Sequence, residues 1–209
     1  MSATETPQEH WEGRYAEKEQ FWSGRVNAQL ATVASDLAPG RALDLGCGEG
    51  ADAVWLATRG WQVVGVDIAT NALDRARAAA EEAAVADRID FQHHDLSDSF
   101  PEGSFTLVSA QFLHSTVRLE RRQILCRAAA AVEPDGVLLI VDHGEPPPWA
   151  AQHIHDHRFQ TADEVVSELD LPEGQWQRQH VGTLKREAIG PAGESGVLRD
   201  NLIVLRRRC

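Results

Sequence analysis

The chain has 209 residues, and its 20 Lys and Arg against 32 Asp and Glu give a formal net charge of −12. With 43% hydrophobic and 25% charged residues, the composition is that of a folded globular protein, and the length predicts one domain. The longest aliphatic run, residues 137–141, is too short to span a bilayer, and an acidic surface repels phosphate backbones, so we expect neither a membrane nor a nucleic acid as partner.

The first forty residues mix aromatic and charged side chains and end in a predicted amphipathic helix over residues 27–37. From residue 42 to residue 141, short apolar runs alternate with Ala-rich stretches, which is typical of βαβ units with a parallel sheet. Thr70 is the predicted N-cap of one of these helices. The predicted strands cover residues 42–45, 62–67, 89–92, 105–109 and 137–141, and the predicted helices cover residues 51–58, 71–84 and 119–132.

The remaining elements complete the predicted sheet. Pro134, Asp135 and Gly136 predict a turn before the last strand of the alternating region. The sequence Thr161-Ala162-Asp163-Glu164 is a capping box that begins another helix. Two later strands, residues 176–181 and 201–205, are predicted to form an antiparallel pair. We therefore predict an α/β, Rossmann-like, doubly wound fold: a single domain with a seven-stranded, mostly parallel sheet and an antiparallel edge strand.

The most informative segment is residues 44–50, Asp-Leu-Gly-Cys-Gly-Glu-Gly. A strand runs into three alternating glycines and then into a helix, so the backbone can approach a ligand closely at the carboxyl edge of the sheet. Asp67 stands at the end of the next predicted strand, where a carboxylate can accept hydrogen bonds from both hydroxyls of a ribose. Together they predict a site for an adenosine-containing cofactor.

The spacing and charge of this loop favour one type of cofactor. A dinucleotide site has the pattern G-x-G-x-x-G, whereas this loop reads G-x-G-x-G, with Asp44 before it and Glu49 inside it. Two carboxylates repel a pyrophosphate but attract a sulfonium and an ammonium group. We therefore expect a cationic adenosyl donor. An NAD(P)-dependent oxidoreductase and a sensor that binds the cofactor without turnover are the alternatives.

The motifs resemble those of the class I S-adenosylmethionine-dependent methyltransferases. Residues 44–50 resemble the first motif of that family, residues 64–67 the second, and residues 132–138 a late motif that enters the fifth strand. The resemblance implies methyl transfer from S-adenosylmethionine to a small-molecule acceptor, with S-adenosylhomocysteine as product. The residues expected to bind the cofactor, partly from this resemblance and partly from the loop, are Trp22, Asp44, Gly46, Cys47, Gly48, Glu49, Asp67, Ile68, Asp95, Leu96, Ala110 and Gln111.

The N-terminal segments 11–15 and 21–25 resemble more narrowly small methyltransferases of the tellurite-resistance and thiopurine type. In those proteins an aromatic segment covers the cofactor. The resemblance implies that residues 1–40 are a lid and helix segment, that residues 41–142 bind the cofactor, and that residues 143–209 form the acceptor side. Packing of Trp11 and Trp22 against the core is an equally open interpretation.

Two histidines are the candidates for catalysis. His114 follows the fourth predicted strand and His143 follows the fifth, so both belong to loops that line the crevice. Either could remove a proton from an alcohol, phenol or amine acceptor. For a thiolate, halide or metalloid anion no base is needed, and protonated histidines or Arg25 could attract the acceptor instead. His143, His153, His155 and His157 could also hold a metal, but no second ligand group completes a shell, so we expect none.

The three cysteines and residues 1–10 are the features that indicate the cellular compartment. Cys47, Cys126 and Cys209 contain no Cys-x-x-Cys spacing, which fits reduced thiols and no structural zinc. Residues 1–10 have no basic residue and no apolar stretch, unlike a secretory signal. We therefore expect a cytoplasmic protein. The identity of the acceptor and the oligomeric state stay open.

Overall fold

The computed structural model describes residues 5–149, 158–190 and 193–209. These residues form one seven-stranded sheet with helices on both faces, as the sequence predicts. The strands are β1 (Arg41–Leu45), β2 (Gln62–Asp67), β3 (Ile89–His93), β4 (Phe105–Gln111), β5 (Val132–His143), β6 (Trp176–Ile189) and β7 (Ser195–Arg207). The α-helices are α1 (Pro7–Ala16), α2 (Ala28–Ser35), α3 (Ala51–Thr58), α4 (Thr70–Glu82), α5 (Arg121–Ala130) and α6 (Ala162–Ser167).

The sheet has the strand order β3-β2-β1-β4-β5-β7-β6. The first five strands pair in parallel, and β7 runs antiparallel to both of its neighbours, β5 and β6. The predicted fold class is confirmed, and the antiparallel strand β7 lies one position inside the edge. The order of strands reverses between β1 and β4, where ligands bind in open α/β sheets.

The hydrophobic core has two layers because each face of the sheet is covered. On one face, Ile124 and Leu125 of α5 and Val165 of α6 pack against the strands. On the other face, Leu30 of α2 and Leu56 of α3 do so. Strands covered on both faces are apolar along their length, which explains the continuous runs in the sequence. No helix among the described residues is long and apolar enough to cross a membrane.

Two local predictions were wrong. The N-cap of α4 is Ala69, not Thr70, and its side chain makes no capping bond. Instead the carboxylate of Glu12, in α1, accepts the backbone N–H groups of Thr70 at 2.7 Å and Asn71 at 3.1 Å. A carboxylate at the positive end of a helix is favourable, so a distant acid replaces the local cap.

The turn predicted at residues 134–136 lies within β5. The strand begins earlier, at Val132, and its pairing with β4 shifts between Phe105 and Leu107, so the turn residues form a bulge. Asp135 has a φ of +62°, a conformation that Asp tolerates better than most residues. The helix α1 was not predicted, although Thr6 and Glu9 form a capping box at its start.

Candidate functional site

The candidate site lies at the carboxyl ends of β1, β2, β4 and β5. The glycine loop, residues 46–50, follows β1 and is left-handed at all three glycines, with φ of +70° at Gly46, +53° at Gly48 and +82° at Gly50. The backbone N–H of Cys47 donates to the carbonyl of Val66 at 2.9 Å, which joins the loop to β2. This conformation requires glycine and brings the backbone to the surface of the crevice.

Asp67 holds the glycine loop in place. One carboxylate oxygen accepts the N–H of Gly48 at 2.9 Å, and the other accepts the N–H of Ala69 at 2.9 Å. Burial raises the pKa of Asp67, although the two backbone N–H groups oppose the shift. The structure thus gives Asp67 a positioning role that the sequence did not predict, and its contact with a ribose stays a prediction.

Asp44 is a buried acid of this site. Only 2% of Asp44 is exposed, and its Oδ2 has no hydrogen-bond partner among the described residues. Burial raises the pKa of Asp44 well above its ordinary value, and the nearby carboxylates of Asp52 and Asp67 raise it further. An unmatched buried carboxylate is costly to the fold. An ammonium group of a bound ligand would supply the missing partner, so these residues fit S-adenosylmethionine.

Asp52, in the first turn of α3, gives a prediction for stability. It accepts the N–H of Asn27 at 2.6 Å, and burial raises its pKa from 3.8 to about 6 although this bond opposes the shift. An acid whose pKa is raised by folding stabilises the folded chain at low pH, and that contribution is lost as the pH rises through this interval. We expect Asp52→Asn to raise the free energy of unfolding at neutral pH by about 1–3 kcal/mol.

Urea unfolding at neutral pH and at about pH 4 checks this expectation. The gain from Asp52→Asn should shrink as the pH falls, because the protonated acid and the amide then resemble each other in charge. An equal gain at both pH values would contradict the proposed titration of Asp52.

The N-terminal segment, residues 5–24, lies over the glycine loop. Tyr15 is buried, and its hydroxyl accepts the indole N–H of Trp22 at 3.0 Å. A Cβ atom at Gly48 would lie 2.9 Å from the Tyr15 hydroxyl and 3.2 Å from Trp22 Nε1. The indole of Trp11 donates to the hydroxyl of Ser115 at 3.2 Å, so the segment also reaches the loop after β4. Tyr15 and Trp22 therefore lie over Gly48, and the role of this segment as a lid on a bound cofactor stays a prediction.

Glu49 attaches the N-terminal segment to the glycine loop through hydrogen bonds. Its carboxylate accepts the N–H groups of Phe21 at 3.0 Å and Trp22 at 2.9 Å, and it pairs with Arg75 at 2.7 Å. Partial burial raises the pKa of Glu49, but these N–H groups and Arg75 lower it overall. Arg75 also donates to the carbonyl of Tyr15 at 2.7 Å. Both oxygens of Glu49 are engaged, so its contact with an ammonium group stays a prediction.

Replacing Glu49 tests this fastening. We expect Glu49→Gln to weaken the attachment of residues 15–22 by about 1–2 kcal/mol, because the charge that holds Arg75 and two N–H groups is lost. Hydrogen exchange of Phe21 and Trp22 should accelerate by about 10-fold. The control is Asp74→Asn, which removes an exposed pair with Arg77 and should leave both amides unchanged. Equal exchange in the wild type and Glu49→Gln would contradict the role of Glu49.

The other predicted cofactor residues lie around the same edge of the sheet. Asp95 follows β3, and its side chain accepts the N–H of Ser97 at 2.9 Å, so it caps the turn there. Gln111, which ends β4, donates to the hydroxyl of Ser109 at 2.8 Å, while its Oε1 has no partner among the described residues. Their contacts with a cofactor stay predictions. The remaining members are half-buried, as are Cys47 and Ile68, or buried in the core, as are Leu96 and Ala110.

The two predicted catalytic histidines lie side by side. The rings of His114 and His143 are 5.9 Å apart between centroids and are inclined by 15°. His114 Nε2 lies 3.4 Å from Asp142 Oδ1, and His143 Nδ1 lies 3.4 Å from Asp200 Oδ1. Both histidines line a cavity of about 90 Å³. His153, His155 and His157 lie outside the described residues.

An arginine backs each of these carboxylates. Asp142 pairs with Arg121, and Asp200 pairs with Arg186. Burial raises the pKa of each acid, but the neighbouring histidine and the arginine lower it overall. Both acids are therefore anionic near neutral pH. The sequence analysis did not predict a role for Asp142, Arg121, Asp200 or Arg186. Only Asp142 had a signal in the sequence, because it directly precedes His143 at the end of β5.

Comparisons with known proteins agree with this architecture. Residues 42–136 match the methyltransferase domain family. The chain is 29% identical over 177 residues to 27-O-demethylrifamycin SV methyltransferase of Amycolatopsis mediterranei, covering 83% of this chain and 64% of that protein. It is 33% identical over 103 residues to tRNA 5-carboxymethoxyuridine methyltransferase of Escherichia coli, covering 48% and 39%. The chain therefore spans less than two thirds of the length of these curated relatives.

The fold is shared beyond the matched domain. A solved structure concerned with the conversion of a disulfide bond into a thioacetal group during echinomycin biosynthesis superposes with a TM-score of 0.73 and 21% identity. The superposition covers 96% of this chain and 91% of the other. At this identity the similarity concerns the fold. The domain match shows a methyltransferase domain over residues 42–136, and the superposition shows that the same fold extends over most of the chain.

Proposed function

We propose that this protein transfers a methyl group from S-adenosylmethionine to a small-molecule acceptor. The observation that carries the proposal is the buried Asp44 carboxylate with one unmatched oxygen, beside a left-handed glycine loop at the reversal of strand order. A pyrophosphate cofactor would add negative charge at this point, whereas the ammonium group of the adenosyl donor neutralises it. The same observation disfavours an NAD(P)-dependent oxidoreductase.

The residues of the crevice would hold S-adenosylmethionine as follows. Asp44 and the backbone of Gly46 and Gly48 would bind its methionine part, Asp67 its ribose, and Ile68 its adenine. When bound, this molecule supplies an electrophilic methyl group on a positively charged sulfur. Asp95 and Leu96 would lie at the adenine edge, and Ala110 and Gln111 nearer the methyl group.

The chain itself contributes positioning and exclusion of water. Tyr15 and Trp22 lie over Gly48, and Trp11 reaches the loop after β4, so these side chains would shelter a reaction beneath them from solvent. Holding the acceptor atom about 3 Å from the methyl carbon supplies much of the rate enhancement in such a displacement. His114 or His143 would accept a proton from the acceptor. In this proposal residues 1–40 close the site, residues 41–142 bind the cofactor and residues 143–209 form the acceptor side.

A small acceptor is favoured over RNA by the charge of the chain. One relative carries the name of a rifamycin methyltransferase and the other that of a tRNA methyltransferase. A net charge of −12 opposes binding to a phosphate backbone, so the small-molecule alternative is the one we propose. We also propose that the protein acts in the cytoplasm, where its three free cysteines stay reduced.

Calorimetry and a turnover screen test this function. We expect S-adenosylhomocysteine to bind and reduced nicotinamide dinucleotides not to bind. Release of S-adenosylhomocysteine from S-adenosylmethionine should depend on an acceptor in a panel of thiols, phenols, amines and metalloid anions. Binding without turnover on any member would favour the sensor alternative, and absence of binding would overturn the proposal.

A further inference from the structure

Two His-Asp-Arg units meet at the acceptor side of the candidate site. The first consists of His114, Asp142 and Arg121, and the second of His143, Asp200 and Arg186. The side chains of Asp142 and Asp200 are 4% and 8% exposed, whereas those of the histidines are 32% and 35% exposed. Each unit therefore has a buried acid and an imidazole that remains accessible from the crevice.

We propose that the acceptor is a neutral hydroxyl compound, an alcohol or a phenol, and that Asp142 is a positioning residue that orients His114 to take its proton. This inference rests on the proposed methyl transfer and specifies its substrate class.

The carboxylate determines which nitrogen of His114 can act as a base. Asp142 Oδ1 lies 3.4 Å from His114 Nε2, and neither atom has a hydrogen-bond partner among the described residues. In the proposed reaction this contact tightens to a hydrogen bond, which keeps the proton on Nε2 and leaves Nδ1 to accept one. Asp142 also stabilises the imidazolium once the proton has arrived. Arg121 forms an ion pair with Asp142 and donates a hydrogen bond to the carbonyl of Leu113, the residue before His114. Arg121 thus links Asp142 to the backbone beside His114.

His114 is the nearer of the two histidines to the glycine loop. It follows β4, which is the neighbour of β1, whereas His143 ends β5, one strand further along the sheet. Leu113 Cδ1 would lie 2.8 Å from a Cβ atom at Gly46, so the loop that carries His114 touches the glycine loop.

The charges around the cavity argue against an anionic acceptor. Among the described residues, the arginines in and beside the cavity pair with acids: Arg121 with Asp142, Arg186 with Asp200, and Arg158 with Glu164. No net positive charge is thus left among these pairs to attract a thiolate or an oxyanion. Arg25, the other cation considered for this purpose, is exposed and does not line the cavity.

The reaction balances with the groups named. The hydroxyl O–H bond breaks and its proton moves to His114 Nδ1, while an oxygen–methyl bond forms. The carbon–sulfur bond of the donor breaks, and its electron pair stays on the sulfur, which becomes neutral. The proton then leaves the imidazolium for solvent, so no further reactant is required.

Matched acceptors test the inference. Phenol, thiophenol and para-nitrophenol are offered to the full chain with S-adenosylmethionine, and release of S-adenosylhomocysteine is measured. We expect turnover of phenol. In Asp142→Asn, kcat for phenol should fall by about 10- to 100-fold while KM changes little. The loss should be much smaller for para-nitrophenol at a pH where that acceptor is already ionised, because it needs no base.

The controls separate this inference from folding and from methyl transfer itself. Asp163→Asn removes an exposed acid paired with Arg178 and should leave all three rates unchanged. Asp142→Glu is the second variant if Asp142→Asn fails to fold: it keeps the charge but moves the carboxylate, and it should lower kcat for phenol more than kcat for ionised para-nitrophenol. Equal losses for phenol and ionised para-nitrophenol, or turnover of thiophenol alone, would overturn the inference and leave methyl transfer standing. Absence of turnover on the whole acceptor panel would count against the proposed function itself.

Discussion

Gly48→Val is expected to lower the affinity for S-adenosylhomocysteine by at least about 100-fold, or about 3 kcal/mol. Gly48 has a φ of +53°, a conformation that is strained for a β-branched residue. Its first side-chain atom would lie 2.9 Å from the hydroxyl of Tyr15, so the substitution also displaces the N-terminal segment from the loop. Calorimetric titration with S-adenosylhomocysteine measures the loss.

Gly174→Val is the matched control for this experiment. Gly174 also has a left-handed backbone, with φ of +76°, but a Cβ atom there would meet nothing within 4 Å. It therefore carries a comparable conformational cost without the contacts at the crevice. Thermal unfolding of both variants shows how much either substitution destabilises the fold. Unchanged affinity in folded Gly48→Val would show that the glycine loop does not bind the cofactor.

The second large effect concerns turnover. His114→Ala is expected to lower kcat by about 100- to 10,000-fold with the best acceptor of the panel, because a positioned base is lost. Binding of S-adenosylhomocysteine should be spared, since His114 lies at the acceptor side of the crevice. Steady-state kinetics and calorimetry on the same preparation check the two parts of this expectation.

His94→Ala is the control for His114→Ala. The ring of His94 contacts the hydroxyl of Ser99 at 2.8 Å and the amide oxygen of Gln92 at 3.0 Å, so it stabilises the loop after β3. Its loss can reduce stability but should leave kcat within about threefold of the wild type. Unchanged turnover in His114→Ala would remove this histidine from the mechanism.

The central sheet could be predicted from the sequence because its signals are local. The bounds predicted for α3 and β2 agree with the structure, since apolar runs, glycines and helical stretches follow one another without ambiguity. The glycine loop and Asp67 were recognised for the same reason. Their spacing along the chain is itself the feature that places them together at the ends of neighbouring strands.

The contacts that complete the site are different, because they join distant parts of the chain. Asp200 meets His143 only through the antiparallel register of β5 with β7, which the sequence does not specify. Glu12 caps α4 from a helix that precedes it by more than fifty residues. Glu49 was read as part of the cofactor site, but its position inside the loop also lets it hold Phe21 and Trp22. Such contacts arise from the packing of distant elements, and no periodic pattern in the sequence predicts them.

The bonds from Glu12 to Thr70 and Asn71 join α1 to the start of α4, so the stability of the N-terminal segment depends on the helix that follows β2. A molecule that binds beneath the N-terminal segment gains from its closure, and by thermodynamic reciprocity the segment gains the same free energy from the molecule. If the proposed cofactor binds beneath this segment, packing of residues 5–24 over the loop and occupancy of the crevice form one coupled equilibrium. Substitutions on α1 that contact no ligand would then change ligand affinity through the stability of this packing.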